Sequence, residues 1–103
     1  MLHHVVVFRW KEGVAPETVT AIQSGLLAFA PGLSSTISYH CGPDVPASFG
    51  AASAPARYDF AVMATFADLE GYKAYADHPE HIRIRDEIIL PNAAERCLVQ
   101  FES

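Results

Sequence analysis

The sequence predicts an α+β fold in which one four-stranded antiparallel sheet carries its helices on a single face. Segments rich in β-branched and aromatic residues alternate with helical patterns in the order β-α-β-β-α-β. The first and third predicted strands are apolar on both faces, which places them in the middle of the sheet. The length of 103 residues, half of them hydrophobic, suits one compact domain over residues 1–103.

The first predicted strand covers residues 2–11. Its even-numbered positions share one face: Leu2, His4, Val6, Phe8 and Trp10. Val5 and Val7 make the opposite face apolar as well. Gly13 and Pro16 break this pattern, and Pro16 suits the first turn of a helix because its fixed φ is already helical.

That first helix carries apolar residues near the helical period, and the Pro31-Gly32 pair ends it. Residues 33–41 form the second predicted strand, in which Ile37, Tyr39 and Cys41 share one face. Residues 42–56 contain three prolines and two glycines and predict a long loop, which is either a lid or a disordered connection. The third strand covers residues 58–66.

Asp68 predicts the cap of a short helix that ends near Ala76. Pro79 begins a further helix that reaches about Leu90, followed by a fourth strand at residues 96–102. In the last helix one stripe contains His81, Ile84 and Ile88, so the histidine should face inward.

This order of elements is that of the ferredoxin-like fold, which leaves one sheet face without helices. On the central strands that open face carries Val5, Val7, Ala61 and Met63. Such a face is too apolar to leave in water, so we expect a homodimer in which two sheets face each other.

Composition excludes several classes of protein. The formal charge is −5 and the seven basic residues are scattered, which argues against nucleic acid as a partner. The apolar runs are too short to cross a membrane, and the start of the chain does not read as a signal peptide, so we expect a cytoplasmic protein. Cys41 and Cys97 are expected to be unpaired thiols.

The segment from Tyr75 to His81 is the strongest functional signal, because the predicted helix corner brings Tyr75, His78 and His81 together. Histidine exchanges protons near neutral pH and a phenol can donate or accept a hydrogen bond, which suits an acid–base site. A surface helix junction is the plainer interpretation. A metal site is not expected, since an isolated pair of histidines lacks further ligands.

The runs at residues 4–11, 58–62 and 75–81 together resemble the stress-responsive A/B barrel (Dabb) family, and the Tyr-x-x-His-Pro-x-His pattern is the most specific part. The resemblance implies a dimeric α+β barrel built from two ferredoxin-like protomers. One plant member closes a linear polyketide by aldol condensation, without a cofactor. Phe60 and Asp77 differ from the pattern of that enzyme.

The resemblance implies roles for particular residues. His81 would act as the base, and Tyr75 would orient it or bind a substrate oxygen. The substrate pocket would be lined by His4, Val6, Phe8, Val62 and His78. Two functions stay open: an acid–base catalyst acting on polyketide-like or aromatic compounds, and a stress-associated protein that binds a small apolar ligand or a partner without catalysis.

Overall fold

A computed structural model describes residues 1–45 and 57–103. Its strands are β1 (Leu2–Trp10), β2 (Thr36–Pro43), β3 (Phe60–Phe66) and β4 (Ala93–Glu102). Its helices are α1 (Pro16–Phe29), α2 (Leu69–Ala76) and α3 (Pro79–Ile84), the last continuing through a π-helical segment (Arg85–Ile89) to a final turn at Leu90–Asn92. This architecture is ferredoxin-like, as predicted.

The four strands form one antiparallel sheet in the order β2-β3-β1-β4. The two strands that are apolar on both faces, β1 and β3, therefore occupy the centre, as their sequences predicted. In β1 the even-numbered residues from Leu2 to Phe8 are buried in the protomer, while the odd-numbered residues between them are only partly covered. The alternation of β1 thus separates a helix-covered face from an open face.

The core lies between the sheet and the helices. Helix α1 lies against α3, and Gly25 allows the close approach, because a Cβ atom there would lie 2.9 Å from Cδ1 of Ile84. Asp68 caps α2 as predicted, its carboxylate accepting the Gly71 N–H at 2.9 Å. The largest fully buried side chains are Ile22, Leu26, Phe60, Phe66 and Ile84.

The second strand departs from its predicted pattern. The register against β3 shifts between Thr36 and Ser38, so Ile37 falls at an irregularity and is 50% exposed rather than aligned with the buried Tyr39. The strand also continues through Gly42 and Pro43, which were assigned to the loop. Most of that predicted loop, residues 46–56, lies outside the described residues.

The buried residues of the last helix differ from the predicted stripe. Ile84 is fully buried, but the next core position is Ile89 rather than Ile88. The cause is the π-helical segment, because its wider turn places the residue five positions onward over Ile84. His81 precedes this segment, so its own position on the inner side of α3 is unaffected.

The open face of the sheet is strongly apolar. Met63 is 57% exposed there, and the β1–β4 register adds Val99 and Phe101 to the predicted set of Val5, Val7, Ala61 and Met63. None of the helices within residues 1–45 and 57–103 has the length and apolar character that crossing a membrane requires.

Candidate functional site

A cavity of about 140 Å³ lies between the helix-covered side of β1 and the α2–α3 corner. Its floor comes from β1, β3 and β4, and its upper wall comes from α1, α2, α3 and the π-helical segment. Of the predicted site residues, six line it: His4, Val6, Phe8, Val62, Tyr75 and His81. Strand phase and helix phase therefore bring together residues that are far apart in the chain.

His81 is held in one defined orientation at the cavity wall. Its Nδ1 lies 2.9 Å from the carbonyl oxygen of Ala76, the last residue of α2. Because a carbonyl can only accept, Nδ1 carries the proton and Nε2 is left with a free lone pair. Burial lowers the pKa of His81, and the bond to Ala76 opposes that shift. A neutral imidazole with an unprotonated Nε2 is the state that a general base needs.

His4 lies on the cavity floor and has the complementary tautomer. It is only 5% exposed, and its Nδ1 lies 2.9 Å from the amide nitrogen of Gln100 on β4. Since the amide nitrogen donates, Nδ1 accepts and the ring proton resides on Nε2. Burial, followed by the nearby charge of His81, lowers the pKa of His4 to about 4. His4 is therefore a neutral hydrogen-bond donor at pH 7.

Tyr75 contributes its ring to the cavity and its hydroxyl to the core. The ring centroid lies 4.5 Å from that of His81, but the hydroxyl bonds to the buried Tyr39 hydroxyl at 2.8 Å. Burial raises the pKa of Tyr75 to about 12. The hydrogen bond that orients His81 thus comes from Ala76, which corrects the orienting role predicted for Tyr75.

His78 does not line the cavity, which corrects its predicted place among the substrate-binding residues. Its Nδ1 accepts the Glu80 N–H at 3.1 Å and so caps α3, because Pro79 forces His78 out of the helical conformation. Its ring stacks on Phe29 with centroids 4.7 Å apart. Within the described residues no group of three histidine, cysteine or acidic side chains is arranged to hold a metal ion.

Sequence reasoning missed several cavity residues that were within reach. Arg85 lies four residues after His81 on the same helix face, and Arg96 pairs with Phe8 on the helix-covered side of the sheet. Tyr72 lies on the α2 stripe that contains Tyr75, and its ring centroid lies 5.1 Å from that of His4. The helical and strand periodicity of the sequence was enough to identify all three residues.

Comparison with known proteins places this geometry in a family. The profile of the stress responsive A/B barrel domain, Dabb, matches residues 2–103. A comparison with curated proteins found no match. A dimeric ferredoxin-like protein of unknown function from Thermobifida fusca is similar in structure, with 32% identity, a TM-score of 0.81, and coverage of 99% of this chain and 90% of that one.

Two more distant structures share the fold. A Dabb family protein from Mesorhizobium loti is 18% identical, with a TM-score of 0.72 and coverage of 99% of this chain and 95% of that one. A hydroxynitrile lyase from Passiflora edulis is 15% identical, with a TM-score of 0.78 and coverage of 97% and 90%. The match over residues 2–103 and the ferredoxin-like sheet establish that this chain belongs to the stress responsive A/B barrel domain family.

Proposed function

We propose that this protein is a cofactor-independent acid–base catalyst that makes or breaks a carbon–carbon bond next to a carbonyl group. The observation that carries the proposal is the pair of complementary tautomers at one cavity. His81 presents a lone pair on Nε2, and His4 presents an N–H on Nε2. A base and a neutral hydrogen-bond donor are the two groups that enolate chemistry requires.

The reaction follows from these two groups. His81 Nε2 takes a proton from a carbon flanked by carbonyls, and the C–H electron pair becomes an enolate. The His4 Nε2–H donates a hydrogen bond to the enolate oxygen. The enolate carbon then attacks a second carbonyl carbon, and the new alkoxide takes the proton back from the His81 imidazolium. Cleavage of a hydroxynitrile, the activity in the name of the Passiflora edulis relative, likewise couples removal of a proton, here from a hydroxyl group, to the breaking of a carbon–carbon bond at the carbon that becomes a carbonyl.

The cavity limits the size of the substrate. The cavity is lined by His81, and its volume is about 140 Å³. Sites for larger, drug-sized ligands typically have volumes of several hundred Å³. A cavity of about 150 Å³ accommodates a benzene molecule. We therefore narrow the polyketide-like or aromatic substrate to a compound whose enclosed part is one ring. A longer substituent on that ring would extend out of the cavity beside Leu98, which lines the cavity yet is 58% exposed.

Proton abstraction can be measured before the natural substrate is known. An aromatic 1,3-dicarbonyl compound in D₂O should gain deuterium at its central carbon faster with the protein than without it. His81→Asn should lose that acceleration by about 100-fold or more. His78→Asn is the matched control, because asparagine also caps helices and His78 lies outside the cavity.

Equal exchange rates in wild type and His81→Asn would contradict catalysis by His81. Ligand binding without any exchange would favour the alternative function, a stress-associated protein that binds a small ligand. Melting curves of His81→Asn and His78→Asn, recorded beside the exchange rates, distinguish loss of catalysis from unfolding.

We also propose that the protein is a homodimer joined through the open sheet face, which makes a dimeric α+β barrel. The exposed Met63, Val99 and Phe101 support this, since an apolar sheet face of this kind is costly in water. The relative from Thermobifida fusca is described as dimeric.

The free thiols of Cys41 and Cys97 fit the cytoplasm, where we propose that the protein resides.

A further inference from the structure

The cavity has two chemically different ends. His4 and Phe8 are four residues apart on β1, which separates them by about 13 Å along the strand. His81 lies near the His4 end, because the Tyr75 ring centroid lies 4.5 Å from that of His81 and 6.3 Å from that of His4. Arg96 pairs with Phe8, so it lies at the other end of the same floor.

The helical wall of the cavity runs between the same two ends. The backbone N–H of Lys11 bonds to the carbonyl of Asn92 at 2.8 Å, so the helical segment that starts at Pro79 ends beside the far end of β1. Arg85 follows His81 by one turn, about 6 Å along the axis. Both arginines therefore lie on the Phe8 side of His81.

Of the two arginines that line the cavity, Arg96 is the one whose charge is not compensated. The Arg85 guanidinium bonds to Asp86 at 2.8 Å. Arg96 makes no ion pair within residues 1–45 and 57–103, and residues 46–56 contain no aspartate or glutamate. An unpaired, solvent-exposed arginine beside an apolar cavity is suited to a carboxylate ligand.

We propose that the substrate is a small aromatic carboxylate, whose carboxylate binds Arg96 while its ring fills the apolar floor and its reactive end faces His81. The floor between the two ends is formed by Val6, Phe8, Val62 and Leu98. This inference rests on the proposed function for the role of His81, and it adds the substrate charge and the residue that selects it.

The test uses two probes of equal ring size, benzoate and benzyl alcohol, titrated into the protein and followed by amide NMR. Wild type should bind benzoate more tightly. Arg96→Gln should weaken benzoate binding by about tenfold and leave benzyl alcohol binding unchanged, because only the anion uses the guanidinium. Arg83→Gln is the control, since Arg83 is exposed, bonds to Glu80 and lies outside the cavity.

Equal affinities of wild type for the two probes, or unchanged benzoate binding in Arg96→Gln, would overturn the carboxylate anchor. Failure of both probes to shift cavity resonances would overturn it as well. Neither result decides the chemistry at His81, because deuterium exchange in the neutral dicarbonyl compound does not depend on Arg96.

Discussion

The buried hydroxyl pair of Tyr39 and Tyr75 supports a quantitative prediction about stability. The two oxygens lie 2.8 Å apart in the core, and both side chains are buried. Tyr39→Phe or Tyr75→Phe alone leaves the other hydroxyl without its partner, which costs about 1–3 kcal/mol of unfolding free energy. In a chain of this length, 1 kcal/mol corresponds to roughly 4–8 °C in Tm.

The double variant should cost less than the sum of the two single variants, because removal of both hydroxyls leaves no orphaned group. We expect a coupling energy of about 1–3 kcal/mol. Urea unfolding measures it, at one fixed protomer concentration because dimerisation adds to apparent stability. Tyr58→Phe is the control, since its hydroxyl bonds to Glu95 at the surface.

Additive losses, within about 0.5 kcal/mol, would refute the pairing of the two hydroxyls. The same variants separate structure from chemistry at Tyr75. Tyr75→Phe keeps the ring that contacts His81, so it should lower stability and leave deuterium exchange near the wild-type rate. Loss of exchange in a well-folded Tyr75→Phe protein would instead place the Tyr75 hydroxyl in the reaction.

Three other predictions concern the dimer, the thiols and the pH dependence of stability. Met63→Asp should dissociate or unfold the protein by placing a charge on the open face, and a well-folded wild-type monomer in micromolar sedimentation runs would count against the dimer. Cys41 and Cys97 lie on opposite edge strands, about 14 Å apart, so non-reducing mass spectrometry should find no bridge within a protomer. The pKa of His4 is about 4 in the folded protein and its ordinary value is 6.5, so between these pH values the unfolded chain binds a proton at His4 that the folded chain does not. The free energy of unfolding should therefore fall by on the order of 3 kcal/mol through His4 as pH falls from 6.5 to 4. Urea titrations of His4→Gln should lack that part of the acid-induced loss of stability.

Local periodicity was enough to predict the sheet and most of the cavity floor. A strand with apolar residues on both sides must be central, and alternation then assigns His4, Val6 and Phe8 to one face without any tertiary information. The same phase argument applies to Arg96, which lies on the predicted fourth strand and pairs with Phe8 on the helix-covered face.

Other parts of the site depend on contacts that no local pattern encodes. The Tyr39–Tyr75 bond joins residues 36 positions apart, and the Gln100–His4 bond depends on the β1–β4 register. The π-helical segment changes the helical period itself, so a stripe drawn at 3.6 residues per turn selects Ile88 where the fold buries Ile89. For these features the whole fold decides which groups meet.

The tautomers of His81 and His4 are the most direct test of the account. Long-range proton–nitrogen NMR of the imidazole rings at pH 7 distinguishes a protonated Nδ1 from a protonated Nε2. We predict a proton on Nδ1 of His81 and on Nε2 of His4, with both rings neutral, since burial lowers both pKa values. A His81 ring protonated on Nε2, or charged at pH 7, would leave no base facing the cavity and would contradict the proposed chemistry.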